Sequence, residues 1–332
     1  MECRSNESLA HLRVAVVGYG SIGRRHCDNL AELGVGRRLL VRRNGDVNPA
    51  LTPPDDAEVA RCAREAIDAG IDLAIVCTPT SSHTSTARQY LAAGIPLLIE
   101  KPLSHCLADA EHFTHETRAA GTAVGMAYSM RYHPAYVLAR DYVRQNRLGR
   151  IERARLWFES YLPDWHPWED YRQSYAARAD LGGGVLPTLD HEIDLANWCF
   201  GPPEKTCGAS RRSGALEIDV DDAAEIRLNY ATHDVEISLS FGRRERRRGF
   251  EFAGSEGRLT FSFERQRLEF WPAKGSLPEV LWERPDFDVN AIYVAMLRDA
   301  LDAIVDGREP PVPLSAGLDA LRVVDAVRRG GS

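Results

Sequence analysis

The stretch LRVAVVGYGSIG, residues 12–23, decides the fold of the first part of this chain. Residues 12–17 are apolar except for Arg13, which is typical of a strand buried on both faces of a sheet. The following glycines have the spacing GxGxxG, and apolar residues then recur at helical intervals as far as Leu33. The stretch therefore predicts a strand, a tight turn and a helix, in that order.

The same alternation continues to about residue 127. Apolar runs predict further strands at residues 38–41, 73–77, 96–99 and 122–127, and helical patterns predict helices at residues 22–33, 57–69, 83–93 and 108–120. Glycines stand where each of these helices should end, at Gly34, Gly70, Gly94 and Gly121. This order predicts an α/β fold for residues 1–127, a Rossmann-type, doubly wound parallel sheet with helices on both faces.

Residues 128–332 have a different pattern. Strands are predicted at residues 151–161, 223–229, 235–241, 250–252 and 258–263, and helices at residues 134–145, 191–199, 291–304 and 315–328. Runs of strands with few helices between them favour antiparallel pairing. We therefore expect a C-terminal α+β domain with a mostly antiparallel sheet, whose exposed face would suit association into a homodimer or homotetramer.

Composition excludes several classes of partner. The chain has 332 residues, a formal net charge of -7 and seven scattered cysteines without a CxxC pair. The acidic balance argues against a nucleic-acid partner, and the cysteine pattern argues against a zinc site or a disulfide framework. No apolar stretch approaches the roughly 18 residues that a membrane-spanning helix needs. We expect a cytoplasmic protein with reduced thiols, no membrane partner and no bound metal.

The GxGxxG turn, in this context of strand, turn and helix, is typical of a dinucleotide-binding site. Gly18 would allow the tight turn, Gly20 would let the pyrophosphate approach the backbone, and Gly23 would let helix and strand pack closely. Amide groups at the helix N-terminus would bind the phosphates. The predicted cofactor contacts in this turn are Gly18, Tyr19, Gly20, Ser21, Ile22 and Gly23.

The end of the second predicted strand bears on the choice of cofactor. It reads Val41-Arg42-Arg43-Asn44 and offers no acid. An acid here would bind the ribose 2′-hydroxyl of NAD(H), whereas a guanidinium binds the 2′-phosphate of NADP(H). The two arginines therefore favour NADP(H) and are predicted cofactor ligands. If both face solvent instead, NAD(H) is the alternative.

Two further strands end in polar residues. The carboxyl ends of parallel strands meet at the edge of the sheet that binds ligands, so residues there should lie along the ribose and nicotinamide. A lysine at a strand end is ordinarily solvated, but at this edge it would reach the chemistry. The predicted residues are Cys77, Thr78, Pro79, Thr80, His83, Glu100 and Lys101.

Five motifs occur in order over roughly the first 200 residues: GYGSIG, IVCTPTSSH, AAGIPLLIEKPL, MRYHP and GGGVLPTLDHEIDLANW. This ordered set resembles the glucose–fructose oxidoreductase/inositol dehydrogenase (Gfo/Idh/MocA) family. The resemblance implies an NAD(P)-dependent dehydrogenase or reductase that acts on a sugar, an inositol or a sugar nucleotide. It places Lys101 against the substrate hydroxyl and the cofactor, makes His191 the acid/base, adds Arg131 to the cofactor contacts, and implies a cis peptide between Lys101 and Pro102.

This pair of groups suits the chemistry. Oxidation of a carbinol sends a hydride to the nicotinamide and a proton to a base, and histidine titrates near neutrality. A lysine whose pKa is lowered by the cationic nicotinamide would stabilise the developing alkoxide. One departure from the family concerns the Asp that precedes this histidine by four or three residues. Those positions hold Pro187 and Thr188, which leaves Asp190 or Asp194 as the open substitutes.

The substrate residues are predicted from a segment rich in aromatic rings, residues 161–172, and from the approach to His191. Aromatic rings suit the apolar faces of sugars, while the alternative is a loop that packs its own rings or forms a subunit contact. The candidates are Trp165, His166, Tyr171, Arg172, Thr188 and Asp190. The segment, together with the HEID form of the histidine motif at residues 191–194, resembles a subgroup associated with precursors of cell-surface polysaccharides and nonulosonic acids.

Three functions remain open from the sequence. The first is an oxidoreductase whose partner is a small carbohydrate. The second is a non-catalytic regulator that senses NADP or a metabolite, which the missing Asp favours and the retained Lys101 and His191 oppose. The third is a glycosidase that keeps its cofactor and oxidises the substrate transiently. Both alternatives are known within the family that this chain resembles.

Overall fold

The computed structural model describes residues 9–42, 52–275 and 277–330, and the chain divides into two compact units. Unit 1 runs to Ser129 and also takes Asn290–Leu318, while unit 2 consists of Met130–Val289 and the chain from Asp319 onward. The sequence-based division placed all residues after 127 in the second domain. The return of residues 290–318 to unit 1 depends on tertiary contacts, such as the hydrogen bond of 2.8 Å from Asn290 Nδ2 to Asn29 Oδ1.

Unit 1 is built on a six-stranded parallel sheet, as predicted. Its strands are β1 (Arg13–Val17), β2 (Arg37–Val41), β3 (Glu58–Ala60), β4 (Leu73–Val76), β5 (Leu97–Ile99) and β6 (Val124–Met126), in the order β3-β2-β1-β4-β5-β6. After β1, the strands β2 and β3 are added on one side of it. The chain then crosses to the other side of β1, where β4, β5 and β6 follow. The carboxyl ends of β1 and β4 therefore form the topological switch point, where sheets of this type bind ligands.

Helices connect these strands. They are α1 (Ser21–Glu32), α2 (Ala63–Asp68), α3 (His83–Leu91), α4 (Leu107–Ala120) and, from the later segment, α8 (Asn290–Val305). The four glycines predicted at helix ends all have positive φ angles, from 63° at Gly121 to 77° at Gly34. Left-handed residues of this kind end helices at little cost only when they lack a Cβ atom. The sequence therefore predicted these helix ends correctly.

The predicted helix at residues 57–69 is wrong in its first half. Glu58–Ala60 forms β3, and the helix α2 begins only at Ala63. Strand β3 pairs with β2 in parallel, and Arg37 binds Glu58 with hydrogen bonds of 2.8 and 2.7 Å. Pairing with a strand elsewhere in the chain overrides the local preference of so short a segment. Such pairing cannot be recognised from the local pattern of residues.

Unit 2 contains an eight-stranded sheet with the order β14-β13-β12-β11-β7-β10-β9-β8. Its strands are β7 (Ile151–Tyr161), β8 (Lys205–Arg211), β9 (Ala223–Asn229), β10 (Asp234–Ser240), β11 (Gly242–Gly254), β12 (Gly257–Ser262), β13 (Arg267–Pro272) and β14 (Glu279–Glu283). All neighbours are antiparallel except β7 and β10, so the prediction of a mostly antiparallel sheet is confirmed. The sequence did not predict β8, β13 and β14.

The remaining helices are α5 (Pro134–Arg144), α6 (Val185–Thr188), α7 (His191–Phe200) and α9 (Leu314–Arg328). Helix α7 packs on β7 and β10. Leu156 of β7 and Ile237 of β10 are buried, whereas Arg155 and Glu236 of the same strands form an ion pair of 2.8 Å on the other face. Within the described residues, no helix has both the length and the apolarity to cross a membrane.

Candidate active site

The glycine turn after β1 is shaped by close packing. Gly18 has a φ of 95°, and a Cβ atom built there would lie 2.8 Å from the carbonyl oxygen of Cys77. A Cβ atom on Gly23 would lie 2.1 Å from the carbonyl oxygen of Gly18. Any side chain at these two positions would collide with main chain, so β1, α1 and the end of β4 meet only because both residues are glycine.

Gly20 differs from the other two glycines of the turn. Among the described residues, a Cβ atom built on Gly20 would meet nothing within 4 Å. Gly20 is the N-cap of α1, whose first turn has no side-chain cap and no acidic residue. The first turn of α1 therefore carries backbone amide groups that no side chain caps, at the positive end of the helix dipole, which is the environment that a pyrophosphate needs.

A second observation fits a dinucleotide at this edge. The hydroxyl oxygen of Thr78, directly after β4, is buried and has no hydrogen-bond partner in the part of the chain that the structure describes. Buried hydroxyls are ordinarily satisfied, so a ligand hydroxyl or phosphate would suit this position. The residues Gly18 to Gly23 would hold the pyrophosphate, and Thr78 would meet the nicotinamide side. When bound, the nicotinamide ring of the cofactor would donate or accept the hydride.

At the end of β2, only Arg42 of the two predicted arginines lies within the described residues; Arg43 lies outside them. The Arg42 amide donates a hydrogen bond of 3.0 Å to the carbonyl oxygen of Ala60, which holds the backbone at this point. Partial burial raises the pKa of the Tyr19 hydroxyl, while the guanidinium groups of Arg24 and Arg42 oppose this shift. The charge of Arg42 thus lies near Tyr19, which follows the first glycine of the turn.

The Glu100-Lys101-Pro102 segment follows β5 as predicted, and the peptide between Lys101 and Pro102 is cis. Glu100 is buried, with 6% of its surface exposed, whereas Lys101 is half-buried. The Glu100 carboxylate accepts a hydrogen bond of 3.2 Å from the Lys101 amide and lies 2.6 Å from Nε2 of His26 on α1. The lysine therefore follows a buried carboxylate that is held by the helix of the glycine turn.

His83 begins α3 and is almost completely buried, with 2% of its surface exposed. Its Nδ1 lies 2.7 Å from the carbonyl oxygen of Pro102, and its Nε2 lies 2.7 Å from the carbonyl oxygen of Thr78. Burial lowers the pKa of this imidazole. The sequence predicted a contact between His83 and the cofactor, but both ring nitrogens are directed at the protein's own main chain.

The basic residues of the chain are almost all arginines. Of its 41 lysines and arginines, three are lysines: Lys101, Lys205 and Lys274. Lys205 and Lys274 are exposed, whereas Lys101 follows a buried strand. Arginine remains protonated at any ordinary pH, and lysine is the basic side chain whose pKa can be lowered into a useful range. The residue type at position 101 therefore permits proton chemistry that arginine would not.

In unit 2, His191 begins α7 and is half-buried, while Asp190, Glu192 and Asp194 around it are buried. A Cβ atom on Gly183, in the preceding glycine run, would lie 2.3 Å from the carbonyl oxygen of Tyr175. The main chain of this run therefore packs against a neighbouring loop. This close packing explains the glycine at position 183, and no bound phosphate is needed to account for it. Helix α6 ends at Thr188, three residues before His191.

Two of the acidic residues near His191 are bound to arginines. Asp194 accepts hydrogen bonds of 2.9 and 2.6 Å from Arg131, and Glu192 accepts one of 2.7 Å from Arg248. Asp194, one of the two proposed substitutes for the missing family Asp, is thus held by Arg131, while Asp190 directly precedes the histidine. Arg131, predicted as a cofactor contact, forms this ion pair with 11% of its side chain exposed.

The aromatic segment after β7 makes contacts with other parts of unit 2. Trp165 donates a hydrogen bond of 2.9 Å to Ser160 Oγ and stacks on Phe158 with ring centroids 6.3 Å apart. Arg172 binds Asp170 and Glu217, and the Tyr171 hydroxyl accepts a hydrogen bond of 3.2 Å from the Glu217 amide. Trp165, Tyr171 and Arg172 are therefore engaged by neighbouring residues of the same unit. Trp168, which the sequence did not select, is 69% exposed and has an edge contact with His166.

Comparison with known proteins agrees with this arrangement. The NAD-binding Rossmann domain of the GFO/IDH/MocA oxidoreductases matches residues 12–128, and their C-terminal domain matches residues 136–260. The chain is 27% identical to a myo-inositol dehydrogenase of Streptomyces leeuwenhoekii, over 97% of this chain and 98% of that protein. It is 29% identical to a dTDP-3,4-didehydro-2,6-dideoxy-alpha-D-glucose 3-reductase of Streptomyces violaceoruber, over 99% of this chain and 98% of that protein.

A solved structure extends the similarity to three dimensions. GenD2 from gentamicin A biosynthesis, in complex with NAD, has a TM-score of 0.82 and 25% identity, covering 99% of this chain and 97% of GenD2. The two domain matches, the parallel sheet with its glycine turn and the mostly antiparallel second sheet agree with one another. This chain therefore belongs to the Gfo/Idh/MocA family of oxidoreductases, with an NAD-binding Rossmann domain followed by the C-terminal domain of that family.

Proposed function

We propose that this protein transfers a hydride between a nicotinamide cofactor and a carbinol of a sugar, a polyol or a sugar nucleotide. The observation that carries the proposal is the open space in front of Gly20 at the switch point of the sheet, with Lys101 following β5 of the same sheet. The relatives named for an inositol and for a dTDP-sugar support the class of substrate. A role in precursors of surface polysaccharides rests on the resemblance of the aromatic segment and of the HEID form of the histidine motif.

In this proposal Lys101 and His191 are the catalytic residues. His191 exchanges the carbinol proton, since an imidazole titrates near neutrality and α7 presents it half-buried. Lys101 stabilises the negative charge that develops on the carbinol oxygen, and its main-chain amide donates a hydrogen bond to the buried Glu100 carboxylate. Of the predicted substrate residues, Thr188 and Asp190 flank the approach to His191, while Trp165, His166, Tyr171 and Arg172 belong to the aromatic segment.

The cofactor preference is a separate part of the proposal. Arg42 lies after β2, and no acid occupies the position that would bind a ribose 2′-hydroxyl. We infer a preference for NADP(H) over NAD(H), with Arg42 and Arg43 as ligands of the 2′-phosphate. The solved structure of GenD2 holds NAD, so NAD(H) is the competing cofactor in every assay.

Deuterium transfer tests the catalytic proposal. NADPH or NADH labelled at C4 is incubated with ketose, inosose and keto-sugar nucleotide probes, and deuterium in the products is measured by mass spectrometry. We expect Lys101→Ala and His191→Ala to lower the rate by about 10²-fold or more while cofactor affinity changes little. Lys205→Ala, which alters an exposed lysine at the start of β8, is the matched control. Unaltered transfer in Lys101→Ala or His191→Ala would remove that residue from the mechanism.

The same assay separates the two other functions. Binding of NADPH without deuterium transfer to any probe would support the non-catalytic regulator. Cofactor that co-purifies with the protein and returns unchanged after a glycoside is cleaved would support the glycosidase.

We also infer a homodimer or homotetramer that associates through the charged face of the eight-stranded sheet. That face includes two half-buried tryptophans, Trp157 and Trp271, among ion pairs such as Arg155 with Glu236. Large aromatic rings with partial exposure are enriched in protein interfaces. Light scattering coupled to size exclusion measures the assembly, and Trp271→Glu should shift it toward the monomer.

A further inference from the structure

One buried side chain joins the two segments of unit 1 that hold the predicted ribose and catalytic residues. The His83 ring contacts the carbonyl oxygens of Thr78 and Pro102, both at 2.7 Å. Thr78 follows β4 and Pro102 follows Lys101, so a single imidazole lies between the loops after neighbouring strands of the sheet. We call this arrangement of His83, Thr78 and Pro102 the His83 bridge.

The other side of Lys101 is held as well. The Lys101 amide donates to Glu100 Oε2, and Glu100 Oε1 lies 2.6 Å from His26 Nε2. Nδ1 of His26 has no hydrogen-bond partner within the described residues, which fits a neutral ring that donates from Nε2. His26 has no exposed surface and belongs to α1, the helix that begins at the glycine turn.

The main chain of Lys101 is therefore fixed before and after the residue by side chains from α1 and α3. A lysine has a flexible stem of four carbons, so only the position of its main chain and the charges near its ammonium restrict where that ammonium lies. Misplacement of a reacting group by about 1 Å can lower a rate by about 10²-fold. Supporting hydrogen bonds of this kind are what hold a reacting group in place.

The number of protons on the His83 ring determines how many of its two contacts can be hydrogen bonds. Both of its partners are carbonyl oxygens, which only accept, and a neutral imidazole donates from one nitrogen at a time. The two carbonyls and the Glu100 charge favour the protonated ring, while burial lowers its pKa and Lys101 adds to that effect. The ring is thus sensitive to the same charges that surround the Lys101 ammonium.

We propose that His83 and Glu100 are positioning residues that hold Lys101 at the cofactor edge of the sheet, His83 through the carbonyl of Pro102 and Glu100 through the amide of Lys101. The inference rests on the proposed role of Lys101, but it concerns where the lysine is held, so its test does not depend on turnover.

The three lysines of the chain make a direct test available. Reductive methylation with ¹³C-formaldehyde labels Lys101, Lys205 and Lys274 and keeps their charge, and the pKa of each is read from the methyl signals during a pH titration. The Lys101→Ala protein assigns the signal of interest. Lys205 and Lys274 are exposed and serve as internal references in every sample.

We expect His83→Phe, which keeps a ring and removes the donor to the two main-chain carbonyls, to change the Lys101 titration measurably while Lys205 and Lys274 titrate as before. His83→Gln keeps one donor and should restore part of the wild-type titration. Glu100→Leu removes the acceptor of the Lys101 amide together with the charge, whereas Glu100→Gln removes the charge and keeps an acceptor, so a positioning role predicts a larger change in Glu100→Leu. His133→Phe removes an equally buried histidine from unit 2 and should leave the Lys101 titration unchanged.

A Lys101 titration that is the same in wild type, His83→Phe and His83→Gln overturns the role of His83, and equal changes in Glu100→Leu and Glu100→Gln overturn that of Glu100. Should His83→Phe not fold, His83→Gln decides by the same criterion. Deuterium transfer that survives in Lys101→Ala would defeat the catalytic proposal while leaving the shifts of the Lys101 pKa as they are, so the two failures are told apart.

Discussion

Asp194 binds Arg131 with both of its carboxylate oxygens, at 2.6 Å from Nη2 and 2.9 Å from Nε. Asp194 lies three residues after His191 on α7. At this position a carboxylate could have replaced the Asp that the family places before the histidine. The guanidinium takes both oxygens in the fork geometry that arginine and carboxylate prefer. Asp194 thus holds Arg131 within unit 2.

We expect Asp194→Asn to lower the free energy of unfolding by about 3 kcal/mol, because breaking a buried ion pair removes the charge that compensates its partner. Asp194 has no exposed side-chain surface. Asp180→Asn is the matched control, since its pair with Arg178 is exposed and should contribute much less. Urea unfolding measures both variants, and equal losses would contradict the structural role of Asp194.

The three glycines of the turn should respond differently to alanine. Gly23→Ala places a methyl group 2.1 Å from the Gly18 carbonyl oxygen and should lower the melting temperature of the protein without any cofactor. Gly20→Ala meets no described atom within 4 Å, so it should leave that temperature nearly unchanged and raise the Kd for NADPH about tenfold or more. Calorimetry and nucleotide fluorescence measure the two effects. Unchanged affinity in Gly20→Ala would mean that the pyrophosphate does not bind there.

Arg42 should decide part of the cofactor preference. Removing a charge-assisted contact to a 2′-phosphate costs about 1.5–3 kcal/mol. We therefore expect Arg42→Ala to raise the Kd for NADPH about tenfold or more and to change the Kd for NADH much less. Arg37→Ala, at the opposite end of β2 and paired with Glu58, is the control and should leave the ratio unchanged. Equal changes for both cofactors would argue against a 2′-phosphate contact.

His133 should make unit 2 less stable in acid. Its Nδ1 accepts a hydrogen bond of 3.2 Å from the Ala135 amide, and burial lowers its pKa from 6.5 to about 4. Because the folded-state pKa lies below the unfolded one, the stabilisation is fully present above pH 6.5 and is lost as the pH falls to about 4. The shift corresponds to about 3 kcal/mol.

His133→Asn keeps an acceptor at this N-cap and removes the titrating ring. Its free energy of unfolding should be lower near neutrality and should depend less steeply on pH between 6.5 and 4 than that of the wild type. Urea titrations at several pH values compare the slopes, and parallel curves would exclude His133 as the cause.

The first domain was the more predictable part, for a local reason. A strand buried on both faces is a continuous apolar run, and a helix that ends in the left-handed region needs a glycine, so β1, α1 and the ends of four helices are visible in residue types. Three strands at or next to the edges of the second sheet have no such signal. Strands β8, β13 and β14 are mixed polar segments whose structure depends on the neighbour with which they pair.

The candidate site divides in the same way. Position in the chain was enough to select Gly20, Thr78 and Lys101, because strand ends and a glycine spacing mark the ligand edge of a parallel sheet, whereas His191 was selected through the resemblance to the family. The contacts of His83 with two main-chain carbonyls, of His26 with Glu100 and of Asp194 with Arg131 were not predictable. The last two join residues 74 and 63 positions apart in the chain.

By itself, the sequence determined the alternation of strands and helices, the glycine turn and the types of the reacting groups, because these depend on neighbours along the chain. Only the tertiary structure decided which carboxylates are occupied by arginines, which histidine holds the loop of Lys101, and which glycine leaves open space for a phosphate. Those properties depend on distances between segments far apart in sequence, and folding alone sets such distances.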